Sequence, residues 1–279
     1  MASKIFSILC VKNEADIIEE CLRKASVWSD RIFIYDGASD DGTWEKMQGM
    51  ASDRIVLARR DDRVWNDWLR AEIFEKFRHE AKTGDWWCRL DADEFYIDEP
   101  RAFLASVDPL HHAVWGLNVE YYLTEEEIAR MPNGDAPTNE SPVDYLRYYW
   151  CNYCEPRFFR YREGLRWGPR DSAPTHMGLV SPKLIRFRHI PYRSPRQIQL
   201  RLRQRLNAVA RGHQGNEKGG WSKIVDDDWR KMAFRDASKL HYDRHDGNLQ
   251  IEWNKLPDYL GPWWRRAVQY ICHRSGIWP

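Results

Sequence analysis

No stretch of this sequence approaches the roughly 18 consecutive apolar residues that a membrane-spanning helix needs. Charge excess is almost absent as well. Lys and Arg number 43 against 42 Asp and Glu, a net of +1, whereas dedicated nucleic-acid binders carry a strong basic excess. No nucleic acid is therefore expected as a partner. Cysteine is sparse and scattered, six in 279 residues, so a disulfide framework is not indicated and the reduced thiols of a cytoplasmic protein are the simplest reading. The single CxxC, Cys151 and Cys154, lacks the second pair a zinc site would want; only Cys272-His273 is loosely suitable. The chain has no internal repeat and no low-complexity tract. Its apolar start, Ile5 to Val11, runs straight into Lys12, Asn13 and Glu14 with no small-residue cleavage site, which reads as a strand and not as a signal peptide.

What is present is an ample core and much tryptophan. Hydrophobic residues make 43 % of the chain and Trp occurs 15 times. Aromatic faces stack on sugar rings but also fill cores, and core is the default. Short apolar runs at Ile5–Val11, Arg31–Tyr35, Ile55–Ala58 and Trp86–Leu90 read as strands. Helical spacing marks Ala15–Trp28, Thr43–Met50 and Trp68–Lys82 between them. This alternation predicts βαβ units and a parallel sheet. After Pro100 the rhythm weakens. Val114–Leu123, Arg157–Tyr161 and Lys183–Phe187 read as strands, Thr124–Pro142 as a long loop, and Pro195–Arg211 as a helix carrying Arg196, Arg201, Arg203, Arg205 and Arg211 but no acid.

Two acidic loops, DGASDDGT at Asp36–Thr43 and DADEF at Asp91–Phe95, follow predicted strands. Ligands in open α/β sheets bind outside the carboxyl ends of the strands, so both loops belong on one site. Like charges this close repel. In extended backbone Asp91 and Asp93 point to the same side with Ala92 between them. Paired carboxylates suit hard Mg²⁺ or Mn²⁺, with phosphate oxygens completing the shell.

Taken in order, SILCVKNEADIIEECL, IFIYDGASDDGT and WWCRLDADEF resemble the family 2 glycosyltransferases of the GT-A fold. Asp36, Ser39, Asp41, Gly42 and Thr43 match the family's D-x-x-S-x-D-G-T block, and the D-x-D-E-F block resembles the branch that modifies bacterial surface glycans. PRFFR at Pro156–Arg160 and RHIPYRSPRQ at Arg188–Gln197 extend the likeness more loosely. The resemblance implies a Rossmann-type α/β domain, GT-A-like, with a mostly parallel sheet flanked by helices and a helical C-terminal extension. Residues 1–110 would form the half that binds the nucleotide-sugar and 111–211 the acceptor-binding and catalytic half, with 212–279 the extension. It further implies an inverting transfer from a UDP- or dTDP-linked sugar to a glycan or lipid-linked glycan. Val11, Asn13 and Glu14 would lie against the base. Asp36 would accept hydrogen bonds from it, with Ser39 and Asp41 in the same block. Asp91, beside Ala92, would hold the ribose and share the metal. Asp93 would ligate the metal, with His189 as a third ligand. Arg70 and Arg201 would meet the nucleotide or its phosphates.

The general base is less defined. Related chains carry a His-Glu pair after PRFFR, where this one has Thr175, His176, Met177 and Gly178. Asp171 in GPRDSAP is the first candidate, with Glu155 and His176 behind it. Glu163, in the turn-like YREGLR, is expected to face solvent. Trp150, Trp167 and Trp221 are candidates to stack on acceptor sugar. Trp263, Trp264, Arg265, Arg266, Tyr270 and Trp278 would suit peripheral contact at the inner face of the cytoplasmic membrane; a helix docked on the core is the alternative. Two other classes stay open. A nucleotidyltransferase would share the sheet and the acidic site but would typically carry a Gly-rich basic N-terminal loop, absent from VKNEAD. A non-catalytic carbohydrate binder would explain the tryptophans but not the acidic loops.

Overall fold

The computed structural model describes residues 3–277 apart from 65, 67, 132, 138, 139, 170, 176 and 213–235. Strand β1 (Ile5–Val11) is buried along its whole length, as expected of a strand covered on both faces. Its side chains alternate between two cores. Ile5, Leu9 and Val11 join helix α1 (Ile18–Trp28), while Phe6, Ile8 and Cys10 join helix α3 (Leu69–Phe77). The tryptophan doublet of β4 (Trp86–Leu90) follows the same rule. Trp86 enters the first core, and Trp87 stacks on Phe6 at 5.1 Å between centroids and meets Phe74 edge-on at 5.1 Å.

Strands β2 (Arg31–Asp36) and β3 (Ile55–Arg60) complete a parallel run in the order β3-β2-β1-β4, with α2 (Thr43–Met50) between them in sequence. Beyond β4 the sheet becomes mixed. Strand β7 (Tyr148–Arg160) pairs antiparallel with β4 and with β6 (Ala113–Tyr122). Next come β8 (Ile185–His189), parallel to β6, and β5 (Glu94–Tyr96), antiparallel to β8. Chain order reverses at β1, which lies between β2 and β4, and that reversal opens a crevice at the strands' carboxyl ends. Asp36 ends β2 and Asp91 follows β4 at this edge.

Local chemistry accounts for the departures from expectation. Segment 124–142, expected as loop, begins with helix α5 (Glu125–Ala129), because Thr124 and Glu127 form a reciprocal capping box. Short helices α4 (Pro100–Ala105) and α6 (Pro142–Tyr145) each start on a proline behind a Glu or Ser cap. Helix α1 begins at Ile18, since Glu14 O takes the amides of both Ile17 and Ile18 and closes a turn first. Strand β7 begins nine residues before the expected Arg157 because its partner β6 is long enough to pair it from Tyr148 onward. Helix α7 (Pro195–Ala210) starts with a Ser194 cap onto Gln197 N and a proline in its first turn. Among the described C-terminal residues are the two-residue strand β9 (His241–Tyr242), which pairs with β7, and a helix at Trp263–Arg274. Among the described residues no helix is long and apolar enough to cross a membrane.

Gly116, midway along β6, shows why one position must lack a side chain. A Cβ there would meet Arg157 Cγ and the Phe187 ring, each at 2.6 Å. Gly116→Ala is therefore expected to destabilise the fold by about 1–3 kcal/mol through overpacking, read as a drop of several degrees in melting temperature. An unchanged melting temperature would show that this contact is not tight.

Candidate active site

A cleft of about 950 Å³ opens at the carboxyl ends of β1 and β4. One wall is Val11–Glu14. The floor is Asp91–Asp93, the far wall is Tyr153, Glu155 and Pro156 of β7, and helix α7 closes it from Leu200 to Arg211.

Side-chain bonds braced on left-handed backbone build the first wall. Asn13 and Ala38 both have φ of 56°, a conformation that costs non-glycine residues about 1 kcal/mol and persists where the surroundings hold it. Asn13 Nδ2 donates to Asp40 Oδ1 at 2.8 Å, and Asp40 N donates to Asn13 Oδ1 at 2.9 Å. Ser39 Oγ accepts from Asn13 N at 2.9 Å, and Asp41 Oδ2 from Ala15 N at 3.1 Å. Asp36 is fully buried, with its oxygens taken by Ser39 N and Oγ and an ion pair to Arg60 at 3.1 Å. Asp36, Ser39 and Asp41 thus shape the loop from beneath. The carboxylate of this block that lines the cleft is Asp40.

The floor is a set of paired charges. Asp91 is held by Arg70, itself 1 % exposed, and by Arg157 at 3.3 Å. Asp93 Oδ2 accepts from Arg201 Nη1 at 3.0 Å and faces His189 Nε2 at 3.6 Å. Burial pushes both aspartates upward, but the neighbouring cations win and hold both carboxyls below the usual range, Asp93 well below it. Burial alone would lower His189, yet Asp93 pushes it up to about 9. On its other side His189 Nδ1 lies 3.3 Å from the Asn118 amide, whose Oδ1 is buried without a partner among the described residues. Turning that amide over lets Oδ1 accept the Nδ1–H and satisfies both groups.

Glu14 bridges the first wall to α7. Its carboxylate contacts Arg193 and, at 3.3 Å, Arg201. Arg193 has no exposed surface and also binds Asp16 at 2.6 and 2.9 Å. Burial raises Glu14 to about 7, although both arginines oppose it.

Arg157 has a central place that its motif, PRFFR, does not announce. Its guanidinium contacts Glu94, Glu155 at 2.6 Å and Asp91 at 3.3 Å, and lies 4.5 Å from the Phe187 ring centroid. Arg89, equally unmarked in the sequence, is 7 % exposed and faces Glu155 at 3.8 Å. The available signal was spacing. Arg157 and Glu155 are two apart on one strand, hence on one face.

The candidates for general base separate clearly. Glu155 lines the cleft, ionised below its usual range because Arg157 and Arg89 outweigh its burial. Asp171 stands just outside the lining. Its carboxylate lies over Gly168, its backbone carbonyl accepts from Trp167 Nε1 at 2.8 Å, and its neighbour Ser172 reaches the cleft. His176 and Trp221 lie outside the described residues. Glu163 is exposed in a turn, as expected. Trp167 is 3 % exposed and packs on Phe159 and Phe74, so it is core and not a sugar platform. Trp150 donates to Lys239 O, close to strand β9, and is not part of the cleft lining. Among the described residues of the cleft the exposed aromatic is Tyr153.

Among the described residues no group of three His, Cys, Asp or Glu side chains is placed to hold a metal. Mg²⁺ and Mn²⁺ commonly take one or two protein ligands and draw the rest from substrate phosphates and water. The Asp93 and His189 pair fits that smaller demand, with the Asn118 carbonyl able to hold the imidazole from behind and fix its tautomer.

The glycosyl transferase family 2 model matches residues 7–162, more than half of the chain. Among solved structures, mannosyl-3-phosphoglycerate synthase from Rubrobacter xylanophilus is similar over 45 % of this chain and 42 % of its own, at 15 % identity and a TM-score of 0.29. No curated protein matches the chain.

Three site groups keep their protons longer in the folded chain than in the unfolded one: Glu14 to about 7, Glu94 to about 8 through burial that Arg157 only partly offsets, and His189 to about 9. Above about 6.5, where an unfolded histidine has lost its proton, the native state binds more protons than the unfolded state. Stability must then fall as pH rises. Urea denaturation between about pH 6.5 and pH 9 is expected to give a declining unfolding free energy, and Glu94→Gln a shallower decline. A flat or rising profile would contradict these protonation states.

Proposed function

Because the chain belongs to glycosyl transferase family 2, we propose that it moves a sugar from a nucleoside-diphosphate donor, UDP- or dTDP-linked, to a hydroxyl of a glycan or lipid-linked glycan, with inversion. The observation that carries this reading is Asp93, which faces both His189 and Arg201 in a cleft whose α7 wall supplies Arg201, Arg203, Arg205 and Arg211 and no acid. Such a wall receives an anionic diphosphate.

Asp93 Oδ2 and His189 Nε2 would hold a Mn²⁺ or Mg²⁺ ion, which when bound supplies positive charge against the leaving diphosphate. Arg201, within reach of Asp93 and Glu14, offers a long cationic donor to the same phosphates. Arg70 fixes Asp91 so that its carboxylate stays at the floor for the ribose. The base of the nucleotide lies along Val11–Glu14. Uracil and thymine offer an imide N–H that cytosine lacks, and Asp40 is the carboxylate placed to accept it. Asp36 acts from below by holding Ser39.

Glu155 is the general base. Its Oε1 is held by Arg157 at 2.6 Å, whereas Oε2 faces Arg89 at the longer distance of 3.8 Å. Oε2 is thus the oxygen available to take the acceptor hydroxyl's proton as that oxygen attacks the anomeric carbon. Tyr153 beside it offers an aromatic face to the acceptor sugar. In this reading residues 1–110 carry the nucleotide, His189 and α7 share its diphosphate and metal, and the β7 wall receives the acceptor.

Incubation with a panel of sugar nucleotides and Mn²⁺, read as nucleoside diphosphate release, tests the reading directly. Release should appear with a UDP- or dTDP-sugar; net formation of a sugar nucleotide from a nucleoside triphosphate would instead show a nucleotidyltransferase, and no turnover with retained sugar binding would leave a binding protein. Asp93→Asn should lower turnover by roughly 10²- to 10³-fold, the usual cost of removing a preorganised electrostatic group, with the fold kept by circular dichroism although the melting temperature falls because Arg201 and His189 lose their buried partner.

Glu155→Gln keeps the hydrogen bond to Arg157 but not the basicity. It should lower turnover by roughly 10²-fold or more while donor still binds, and Asp171→Asn should turn over like the parent. The reverse pattern would move the base to Asp171.

A further inference from the structure

Helix Trp263–Arg274 is built inside out. None of its twelve residues is buried. Trp264, Val268 and Ile271 recur at i, i+4 and i+7, hence on one face, and are 58, 49 and 60 % exposed. Trp263 and Ile277 extend the apolar surface at 74 and 67 %. The least exposed positions of the helix are Arg266, Gln269, Cys272 and His273. The polar side therefore meets the domain, with the His273 ring 4.2 Å from that of His112, while the apolar side meets solvent. Arg266 Nε is buried there without a hydrogen-bond partner among the described residues.

An isolated helix of this length is marginal in water, and most helical stability comes from covering an amphipathic face. Here the covered face is the polar one. The apolar face has no cover among the described residues. Charge selects the occupant. From Pro262 to Ile277 the chain carries no carboxylate; Arg266 faces the domain, and Arg265 and Arg274 flank the apolar face. A second copy would set these arginines against one another. A bilayer surface with anionic headgroups would pair them, and paired tryptophans at one end are what headgroup depth favours.

We propose that the Trp264, Val268 and Ile271 face, framed by Arg265 and Arg274, docks the protein in the plane of an anionic lipid surface. Docking does not depend on which sugar is moved, and its test reads no turnover, so its failure is separate from failure of the donor assay.

The full chain is floated on a density gradient with vesicles of phosphatidylcholine alone and of phosphatidylcholine with phosphatidylglycerol at three to one. It is expected to rise with the anionic vesicles and scarcely with the neutral ones, and to be released by high salt. The double substitution Trp264→Glu with Ile271→Glu removes the apolar anchor and adds like charge against the lipid. It should weaken binding roughly tenfold or more, with the melting temperature kept. Equal flotation on both vesicles, flotation on neither, or a doubly substituted chain that floats like the parent each overturns the proposal. A concentration-dependent dimer in sedimentation velocity, abolished by the same substitutions and with no flotation, would assign the face to a second copy.

Discussion

The site rests on one guanidinium. Arg157 is 1 % exposed and touches Asp91 and Glu94 from the β4–β5 turn and Glu155 from its own strand. Asp91 and Glu155 repel as carboxylates and each costs several kcal/mol to desolvate, while burial keeps Glu94 protonated up to about 8. Arg157 makes their convergence tolerable, and Phe187 beneath it and the bare Gly116 beside it leave room for nothing else. The DxDEF loop and the β7 wall are consequently one electrostatic unit. Losing the cation would take the arginine from Glu94 and leave Asp91 to Arg70 and Glu155 to Arg89, and breaking a buried pair is the change such sites withstand least.

A second guanidinium joins the remaining parts. Arg193, without exposed surface, binds Glu14 and Asp16 at the end of β1 and donates to the Ile190 carbonyl at 3.0 Å. It ties the segment after β8 to the first wall across 177 residues of sequence. The order of the cleft thus follows from two buried arginines in the second half of the site, each reaching acids that the first hundred residues supply.

This explains which parts were legible in the sequence. The strands β1, β2 and β4 announce themselves because they are short, apolar and buried on both faces, and the acidic loops are visible as departures from those runs. The family resemblance rests on the same blocks, and the family match covers them. Arg157 and Arg193 were not legible in their roles, since an arginine in PRFFR or PYRSP carries no local sign that it will be fully buried. Burial of a cation is decided by acids more than 60 residues away for Arg157 and more than 170 for Arg193. The surroundings of Asp36 were hidden for the opposite reason. Its motif position suggested ligand contact, but Arg60 on the neighbouring strand and Ser39 in its own loop saturate it below the surface. The short helix α5 was hidden by prolines further along its segment, which outweighed the TEEE cap in a reading by composition.

Charge is graded across the cleft, and the gradient has a direction. Along α7 the lining is cationic without an acid, at Arg201, Arg203, Arg205 and Arg211, whereas the floor and the other walls mix acids with cations. Arg201 spans the two, paired at once with Asp93 on the floor and Glu14 on the first wall. A ligand that is negative along its length and carries a cation at one point inverts this pattern: its cation meets the floor and its phosphates meet the helix. A neutral sugar would gain nothing from such a gradient, and a bare cation would compete with Arg201 for Asp93. In the proposed reading an anionic diphosphate and its divalent ion would arrive together, and Glu155 would stand on the opposite wall for the acceptor.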